Sequence, residues 1–138
     1  MLPFVIVERA TDTVVGSTRY GAVDLANRRL EIGWTWIGRP WQRTAVNTET
    51  KLLLLTYAFE SLGCQRVELK TDVLNETSRR AILRLGAKEE GTFRNHMVVA
   101  GGRVRDTVYF SIVDTEWEDV KRRLQDKLSR RSQASPRT

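Results

Sequence analysis

The sequence predicts a single α/β domain built on one mixed β-sheet, and three observations lead to this fold class. Strand-like and helix-like segments follow one another in the order β-β-β-α-β-α-β-β-α along the 138 residues. A strand, a helix and another strand succeed one another in the middle, which is typical of a parallel pair joined by a right-handed crossover. Hairpin-like pairs of strands at both ends indicate antiparallel neighbours, so the predicted sheet is mixed.

The first three strands are predicted from alternation and from the turns that separate them. Phe4–Glu8 and Val14–Tyr20 are rich in β-branched residues, and the polar run between them is typical of a hairpin turn. Arg29–Ile37 alternates between apolar and other residues, which predicts a third strand. Gly38-Arg39-Pro40 ends this strand, because glycine and proline are the residues that most often break regular structure.

A helix is predicted after the third strand. Asn47 or Thr48 can cap its N-terminus, and Gly63 is placed to end it. The apolar side chains at helical spacing are Leu52, Leu55, Phe59 and Leu62. These residues predict the face that packs on the sheet.

The second half of the chain continues the pattern. Its predicted elements are a strand at Arg66–Thr71, a helix from Asn75 or Glu76 to Leu85, strands at Ala87–Val99 and Arg103–Val113, and a helix from Asp114 or Thr115 to Leu128. We therefore assign residues 1–128 to one domain. Residues 129–138 are polar and without periodicity, so they are predicted to form a basic, disordered tail.

The net charge of +6 is confined to the end of the chain. Residues 121–138 contain seven Lys or Arg and one Asp, which leaves residues 1–120 with no net charge. A neutral body argues against a basic nucleic-acid-binding surface. The charged end is interpreted as a solvated helix terminus, with weak contact of the tail with RNA, phosphate or an acidic partner as the alternative.

Several features point to a cytoplasmic protein without a metal. No apolar run approaches the ~20 residues of a membrane-spanning helix, and the N-terminus lacks the pattern of a signal peptide. Cys64 is the sole cysteine, so it is interpreted as a small buried residue rather than half of a disulfide. No Cys/His cluster offers metal ligands, and we expect no membrane partner.

Two segments at predicted helix starts are candidate binding sites. In Trp41–Asn47, between a strand and a helix, free backbone N–H groups and the positive helix end favour phosphate, although any strand-to-helix loop shares these features. Asn75-Glu76-Thr77-Ser78 opens the second helix, where capping alone explains Asn75.

His96 is the only histidine of the chain. An unperturbed imidazole titrates near pH ~6.5, which suits proton transfer at neutral pH. A lone histidine nevertheless has a structural role more often than a catalytic one, so both interpretations stay open.

A series of short segments between about Pro3 and Leu128 matches one protein family in order and spacing. They are Gly33–Gly38, Pro40–Glu49, Lys51–Leu54, Asn75 with Ser78, Gly86-Ala87, Arg94 with His96, Gly102 with Arg105-Asp106, Tyr109–Ile112 and Glu116-Trp117. Each segment is weak alone, but their ordered sum is specific. The chain resembles the GNAT N-acetyltransferases of the RimJ/RimL-like branch.

The resemblance implies a reaction and a fold. Acetyl-CoA is implied as co-substrate in a split between the two central parallel strands, and its acetyl group passes directly to a primary amine of a protein N-terminus or small molecule. The implied cofactor-binding residues are Ile32, Trp34 and Trp36 through main-chain groups, Gln42, Arg43, Thr44, Ala45, Val46 and Asn47 around the pyrophosphate, and Asn75 and Ser78. Ser78 is also implied to protonate or stabilise the departing thiolate.

The general base is left with two candidates. Glu31, acting through water, lies on the strand implied to hold the pantetheine arm. His96 lies on a strand implied to border the acceptor site. A simple cross-strand ion pair is the alternative role of Glu31.

Two departures from the family pattern lead to further expectations. Ala45 stands where the family has the first glycine of its phosphate loop. If Ala45 requires a positive φ, the strain is on the order of 1–2 kcal/mol. If its φ stays negative, its Cβ crowds the phosphates instead. CoA binding is weakened in either case, and Ala45→Gly is expected to tighten it.

The chain also begins at what corresponds to the family's second strand, a shortened N-terminus. We expect exposed apolar surface and an unpaired sheet edge, and hence a homodimer. A catalytically weak domain that acts as a CoA-binding or interaction module is the alternative function.

Overall fold

The structure, a computed structural model, describes residues 1–134, with side chains described as far as Arg131. The described strands are β1 (Leu2–Glu8), β2 (Thr13–Asp24), β3 (Arg29–Ile37), β4 (Arg66–Asp72), β5 (Lys88–Val98) and β6 (Val104–Val113). The described α-helices are α1 (Ala45–Thr56), α2 (Glu76–Leu85) and α3 (Asp114–Ala134). This order and the single mixed sheet confirm the predicted α/β fold class.

The sheet has the strand order β1-β2-β3-β4-β6-β5. All neighbours are antiparallel except β3 and β4, which are the predicted central parallel pair. The parallel register comprises only Arg29 with Arg66, Leu30 with Val67, and Glu31 with Glu68. Beyond these pairs the two strands separate, so the middle of the sheet is split toward the carboxyl ends of β3 and β4.

The hydrophobic core lies between one face of the sheet and the helices. Leu55 of α1 is fully buried, as its predicted place on the apolar face requires, and Phe59 is nearly so. The Phe59 ring stacks on Trp117 of α3 with centroids 5.2 Å apart. Ile82 and Leu85 of α2 join the same cluster, so all three helices contribute to one core.

Helix α1 begins earlier than predicted. Its N-cap is Thr44 rather than Asn47 or Thr48, since Thr44 has an extended backbone and its hydroxyl accepts the N–H of Val46 at 3.2 Å. At the other end the helix continues as a π-turn over Tyr57–Ser61. The earlier start places the residues around Val46 in the first helical turn rather than in a loop.

Helix α3 continues to Ala134, six residues beyond its predicted end at Leu128. Residues 129–134, predicted as disordered tail, are therefore helical, while residues 135–138 lie outside the described part of the chain. Basic side chains favour a helix C-terminus, and Arg131 in the last turn also donates to the Arg43 carbonyl at 3.3 Å. No helix among residues 1–134 is long and apolar enough to cross a membrane.

The other face of the sheet carries charged and polar side chains at its centre. Alternation along β4 directs Val67, Leu69 and Thr71 into the core, so Glu68 and Lys70 lie on the opposite side. We call this opposite side the helix-free face; it carries Glu31, Glu68, Lys70, Tyr109 and Ser111. The exposed apolar surface of this central region comes from the Trp34 ring, which is 51% exposed and lies beside Lys70.

Exposed apolar residues also lie on the outer strand. β1 pairs only with β2 among the described strands, so its other edge is unpaired. Leu2, Val5 and Val7 of β1 are 50%, 66% and 42% exposed. The expected unpaired edge and apolar surface thus coincide at β1.

Candidate functional site

The split exposes one main-chain edge of β3. After Glu31 this strand has no register with β4, while its other edge remains paired with β2 through Ile32 and Gly33. A register shift and a positive φ of 50° at Trp34 mark a bulge at this point. The predicted main-chain site at 32–36 therefore lies on an edge that is free to pair with an extended ligand.

Two helices begin at the same end of this split. α1 follows β3 and α2 follows β4, and because the two strands are parallel, both helix N-termini lie at their shared carboxyl end. Thr44 caps α1 and Ala45, Val46 and Asn47 form its first turn. First-turn N–H groups lack intrahelical acceptors and carry the positive end of the helix dipole, which favours an anion here.

The loop before α1 is held by several side chains. The Gln42 amide donates to the Ile37 carbonyl at 2.9 Å, and the Trp41 indole donates to Glu8 at 2.8 Å. The Arg43 carbonyl accepts the bond from Arg131 described above. The predicted phosphate-binding residues 42–47 are thus brought together in one anchored segment, although the Gln42 side chain bonds to the loop itself.

Ala45 does not have the positive φ that was considered for it. The left-handed residue of this loop is Arg43, with φ of 60°. The reason is the earlier helix start: Ala45 already has helical geometry, and the turn into the helix falls two residues before it. The predicted backbone strain at Ala45 is therefore absent, and only its methyl group distinguishes it from glycine.

Asn75 and Ser78 lie at the start of α2. The Asn75 side-chain oxygen accepts the N–H of Ser78 at 3.0 Å, which is the capping bond expected from the sequence alone. Ser78 is half-buried at the end of the split where both helices begin. Contacts of either residue with a cofactor stay predictions.

Glu31 is almost completely buried, at 2% exposure, on the helix-free face beside the split. The Lys70 ammonium lies 3.5 Å from its carboxylate. Burial raises the pKa of Glu31, and the Lys70 charge opposes that rise. The cross-strand ion pair considered from the sequence is therefore present. It positions the Glu31 carboxylate where the parallel register ends and the split begins.

Aromatic rings complete the surroundings of Lys70. Its Nζ lies 5.6 Å from the centroid of Trp34 and 5.8 Å from that of Tyr109. The Trp34 ring packs directly over Gly21, where a Cβ would lie 2.6 Å from the ring. Glycine is therefore needed at position 21 for the ring to take this place beside the ammonium.

His96 lies on β5, to one side of this arrangement. Its Nδ1 is 2.9 Å from the Thr107 hydroxyl, and its ring packs edge-on against Phe93 and Tyr109. Phe93, Arg94, Asn95, His96 and Asp106 line a surface concavity of about 800 Å³. Tyr109 thus separates His96 from the pair of Glu31 and Lys70. Of the two candidate bases, Glu31 is the one that lies beside the split.

Lys51 is a site residue that the sequence interpretation missed. It is 6% exposed, and its Nζ contacts the Thr35 hydroxyl at 3.1 Å and the Asn47 amide oxygen at 3.4 Å. Burial lowers its pKa to about 8. The available indication was its spacing: Lys51 lies one turn before Leu55, so a charged residue occupies the apolar face of α1.

Metal ligands are not grouped in this region. Among the residues that the structure describes, no cluster of three or more His, Cys, Asp or Glu side chains is arranged to hold a metal ion. The site is thus composed of free main-chain edge, two helix starts, two lysines and one buried carboxylate.

Comparison with known proteins identifies relatives of this arrangement. The sequence profile described as "Acetyltransferase (GNAT) domain" matches residues 1–88. "Putative ribosomal N-acetyltransferase YdaF" of Bacillus subtilis (strain 168) is 39% identical over 99 residues, covering 72% of this chain and 53% of that protein. "Uncharacterized N-acetyltransferase p20" of Bacillus licheniformis is 32% identical, covering 83% of this chain and 63% of that protein.

A solved structure agrees with these matches. A GCN5-related N-acetyltransferase from Brucella melitensis superposes with a TM-score of 0.87 at 39% identity, covering 91% of this chain and 56% of that one. The chain thus spans between about half and two thirds of the length of these relatives. The profile match includes the split and both helix starts. The chain belongs to the GNAT acetyltransferase family.

Proposed function

We propose that the chain forms the acetyl-CoA-binding part of an N-acetyltransferase that acetylates a primary amine. The observation that carries this proposal is the end of the β3–β4 register after Glu31, which frees one edge of β3 opposite two helix N-termini. An extended, amide-containing arm ending in phosphates matches both features. Bound acetyl-CoA supplies the acetyl group as an activated thioester.

The residues around the split suit such a molecule. Main-chain groups of Ile32–Trp36 are proposed to pair with the amides of the pantetheine arm. The first-turn N–H groups after Thr44 are proposed to bind the pyrophosphate. Lys51 adds a buried positive charge one turn further along α1, bonded to Asn47 of that first turn. The group therefore fits the main-chain geometry and the charge of the site.

Glu31 is proposed as the base that accepts the proton of the amine, directly or through water. Burial raises the pKa of Glu31, although Lys70 opposes the rise, and a higher pKa makes the carboxylate a stronger base. A main-chain N–H of β3 is proposed to polarise the carbonyl oxygen of the acetyl group. Ser78, at the start of α2, is proposed to donate a proton to the departing sulfur.

The same proposal includes the acceptor amine, the oligomeric state and the cellular compartment. The name of the YdaF relative refers to ribosomal acetylation, which favours a protein N-terminus over a small amine as acceptor. The exposed apolar side chains on the unpaired strand β1 favour a homodimer. We place this assembly in the cytoplasm, in keeping with the free thiol of Cys64.

Calorimetric titration of the chain with CoA and acetyl-CoA tests the proposal, with two variants at Ala45 as a matched pair. Ala45→Pro removes one N–H from the first turn at a helix position that tolerates proline, and the extended backbone of Thr44 suits a following proline. Ala45→Gly removes the methyl group but keeps the N–H.

Wild-type protein is expected to bind one CoA per chain. Losing a hydrogen bond to a charged phosphate costs about 1.5–3 kcal/mol, so Ala45→Pro is expected to weaken binding at least about tenfold. Ala45→Gly has no strain to relieve and removes only the methyl group that was expected to crowd the phosphates, so it is expected to bind CoA at least as tightly as wild type. Absence of binding by the wild-type chain, or equal affinity of the two variants, contradicts this use of the α1 N-terminus.

A further inference from the structure

Lys70 occupies a place where an amine substrate is expected. The register between β3 and β4 ends at the pair of Glu31 and Glu68, and Lys70 is the next residue of β4 on the same face. Its side chain therefore stands at the beginning of the split, on the wall opposite the free edge of β3. The side chain is 24% exposed, so it is accessible from solvent.

The surroundings of its ammonium are those of a cation-binding site. The Glu31 carboxylate lies 3.5 Å away, and the rings of Trp34 and Tyr109 face it at 5.6 and 5.8 Å. A carboxylate with flanking aromatic rings is the kind of environment that binds ammonium groups. The protein fills this environment with a primary amine of its own, beside the carboxylate proposed as the base.

We propose that the ε-amine of Lys70 is itself an acceptor, so that the chain acetylates Lys70 from acetyl-CoA. This inference rests on the proposed binding of acetyl-CoA in the split. The site is thus a modification site as well as a substrate site. An acetylated Lys70 no longer carries a charge, which leaves Glu31 buried without its cation and closes the position to a second amine.

The reaction balances with groups already named. The Lys70 ammonium gives one proton to Glu31, and the neutral amine attacks the thioester carbonyl carbon. The carbon–nitrogen bond forms, the carbon–sulfur bond breaks, and the second proton from nitrogen passes to the departing sulfur. The products are N-acetyl-lysine at position 70 and free CoA thiol, and the proton on Glu31 is released to water.

Two acetylating reagents distinguish this reaction from ordinary lysine chemistry. Lys88 serves as an internal comparator, because its side chain is 76% exposed. Acetic anhydride needs no binding site, so it is expected to modify Lys88 faster than Lys70. With acetyl-CoA the order is expected to invert, because binding in the split places the thioester beside Lys70, with a preference of at least about tenfold. Peptide mass spectrometry of the wild-type chain measures both ratios.

The outcomes separate this inference from the proposed function. Inversion of the order with acetyl-CoA, saturating as CoA binding saturates, supports acetylation of Lys70. CoA binding without a preference for Lys70 overturns the inference and leaves the proposed function standing. Absence of both CoA binding and acetylation of Lys70 overturns both. Lys70→Arg retains the positive charge beside Glu31 and is expected to lose the modification, whereas Glu31→Gln is expected to slow it.

Discussion

Two lysines lie on opposite sides of β3, and their ammonium groups contact different kinds of side chain. Lys51 reaches the split from α1 and contacts only neutral oxygens, those of Thr35 and Asn47. Lys70 reaches it from the helix-free face and contacts the carboxylate of Glu31. Lys51 is 6% exposed and Lys70 is half-buried, so the more deeply buried ammonium is the one without a carboxylate.

The difference shows what each side of the split is suited to hold. A buried cation without an anion is costly, and an incoming anion offsets that cost. The α1 side therefore favours a negatively charged ligand at the first turn of the helix. On the helix-free face a carboxylate and aromatic rings already balance a cation, which favours an amine. The comparison thus favours the proposal that cofactor and acceptor lie on opposite sides of β3.

Replacing the Glu31 carboxylate, on the helix-free side of β3, is expected to have the largest effect on catalysis. If Glu31 is the base, Glu31→Gln lowers kcat for acetyl transfer by about 10²–10⁴-fold, the usual contribution of a positioned base. CoA affinity is expected to change little, because the cofactor side of the split is intact. Turnover is measured as release of CoA thiol with short peptides that carry free N-termini.

Glu68→Gln provides the matched control for this substitution. Glu68 lies beside Glu31 in the parallel register but bonds to Arg66. Glu68→Gln is therefore expected to leave kcat within a few-fold of wild type. Equal losses in the two variants, or full activity of Glu31→Gln, would remove Glu31 from the role of base and favour His96.

On the α1 side of β3, the buried Lys51 ammonium, which contacts no carboxylate, makes the free energy of unfolding depend on pH. Burial lowers the pKa of Lys51 from 10.5 to about 8, so between these values the unfolded chain binds more protons than the folded one. Stability from this group therefore rises as pH increases from about 8 to 10.5, by about 3 kcal/mol in total. Lys51→Met is expected to lose this rise, as measured by urea unfolding at several pH values.

The surface residue Lys121 supplies the control for that measurement. Lys121 pairs with Glu60 near the exposed side of α3, away from the split. Lys121→Met is therefore expected to retain the rise in stability above pH 8. If Lys51→Met shows the same pH dependence as wild type, the Lys51 amine is not desolvated as the structure indicates.

Much of the fold around these two lysines could be predicted from the sequence, because the strands and helices follow local patterns. Alternation in β3 and helical spacing from Leu52 to Leu62 indicated the strand, the helix and the parallel crossover. The order of short family motifs singled out residues 42–47 and Glu31 as candidate site residues. These features depend on side-chain periodicity and spacing, which a single sequence displays directly.

The two lysine environments could not be predicted, because they arise from tertiary contacts. Lys51 and Thr35 are distant in sequence and meet only when α1 packs on the sheet. The Trp34 ring reaches Lys70 because a bulge in β3 and the glycine at position 21 make room for it. Bulges and close approaches of this kind depend on the register between strands, which the sequence alone does not specify.

The strain that was considered for Ala45 lies elsewhere in the loop before α1. The helix cap was predicted at Asn47 or Thr48, and this left Ala45 in a loop where a positive φ was conceivable. Because Thr44 is the actual cap, the left-handed residue is Arg43 instead. A difference of three or four residues in the helix start thus changed the residue at which a positive φ is found.

The smallest expected effect tests this revised placement on the α1 side. Arg43→Gly relieves a left-handed conformation that costs about 1–2 kcal/mol, partly offset by the greater freedom of glycine in the unfolded chain. A net gain in stability of up to about 1 kcal/mol is expected, since the carbonyl that Arg131 contacts is retained. Ala45→Gly relieves no strain and is expected to lower stability by up to about 1 kcal/mol. Thermal unfolding of both variants should therefore give shifts of opposite sign, and a gain at Ala45 with a loss at Arg43 would return the strained position to Ala45.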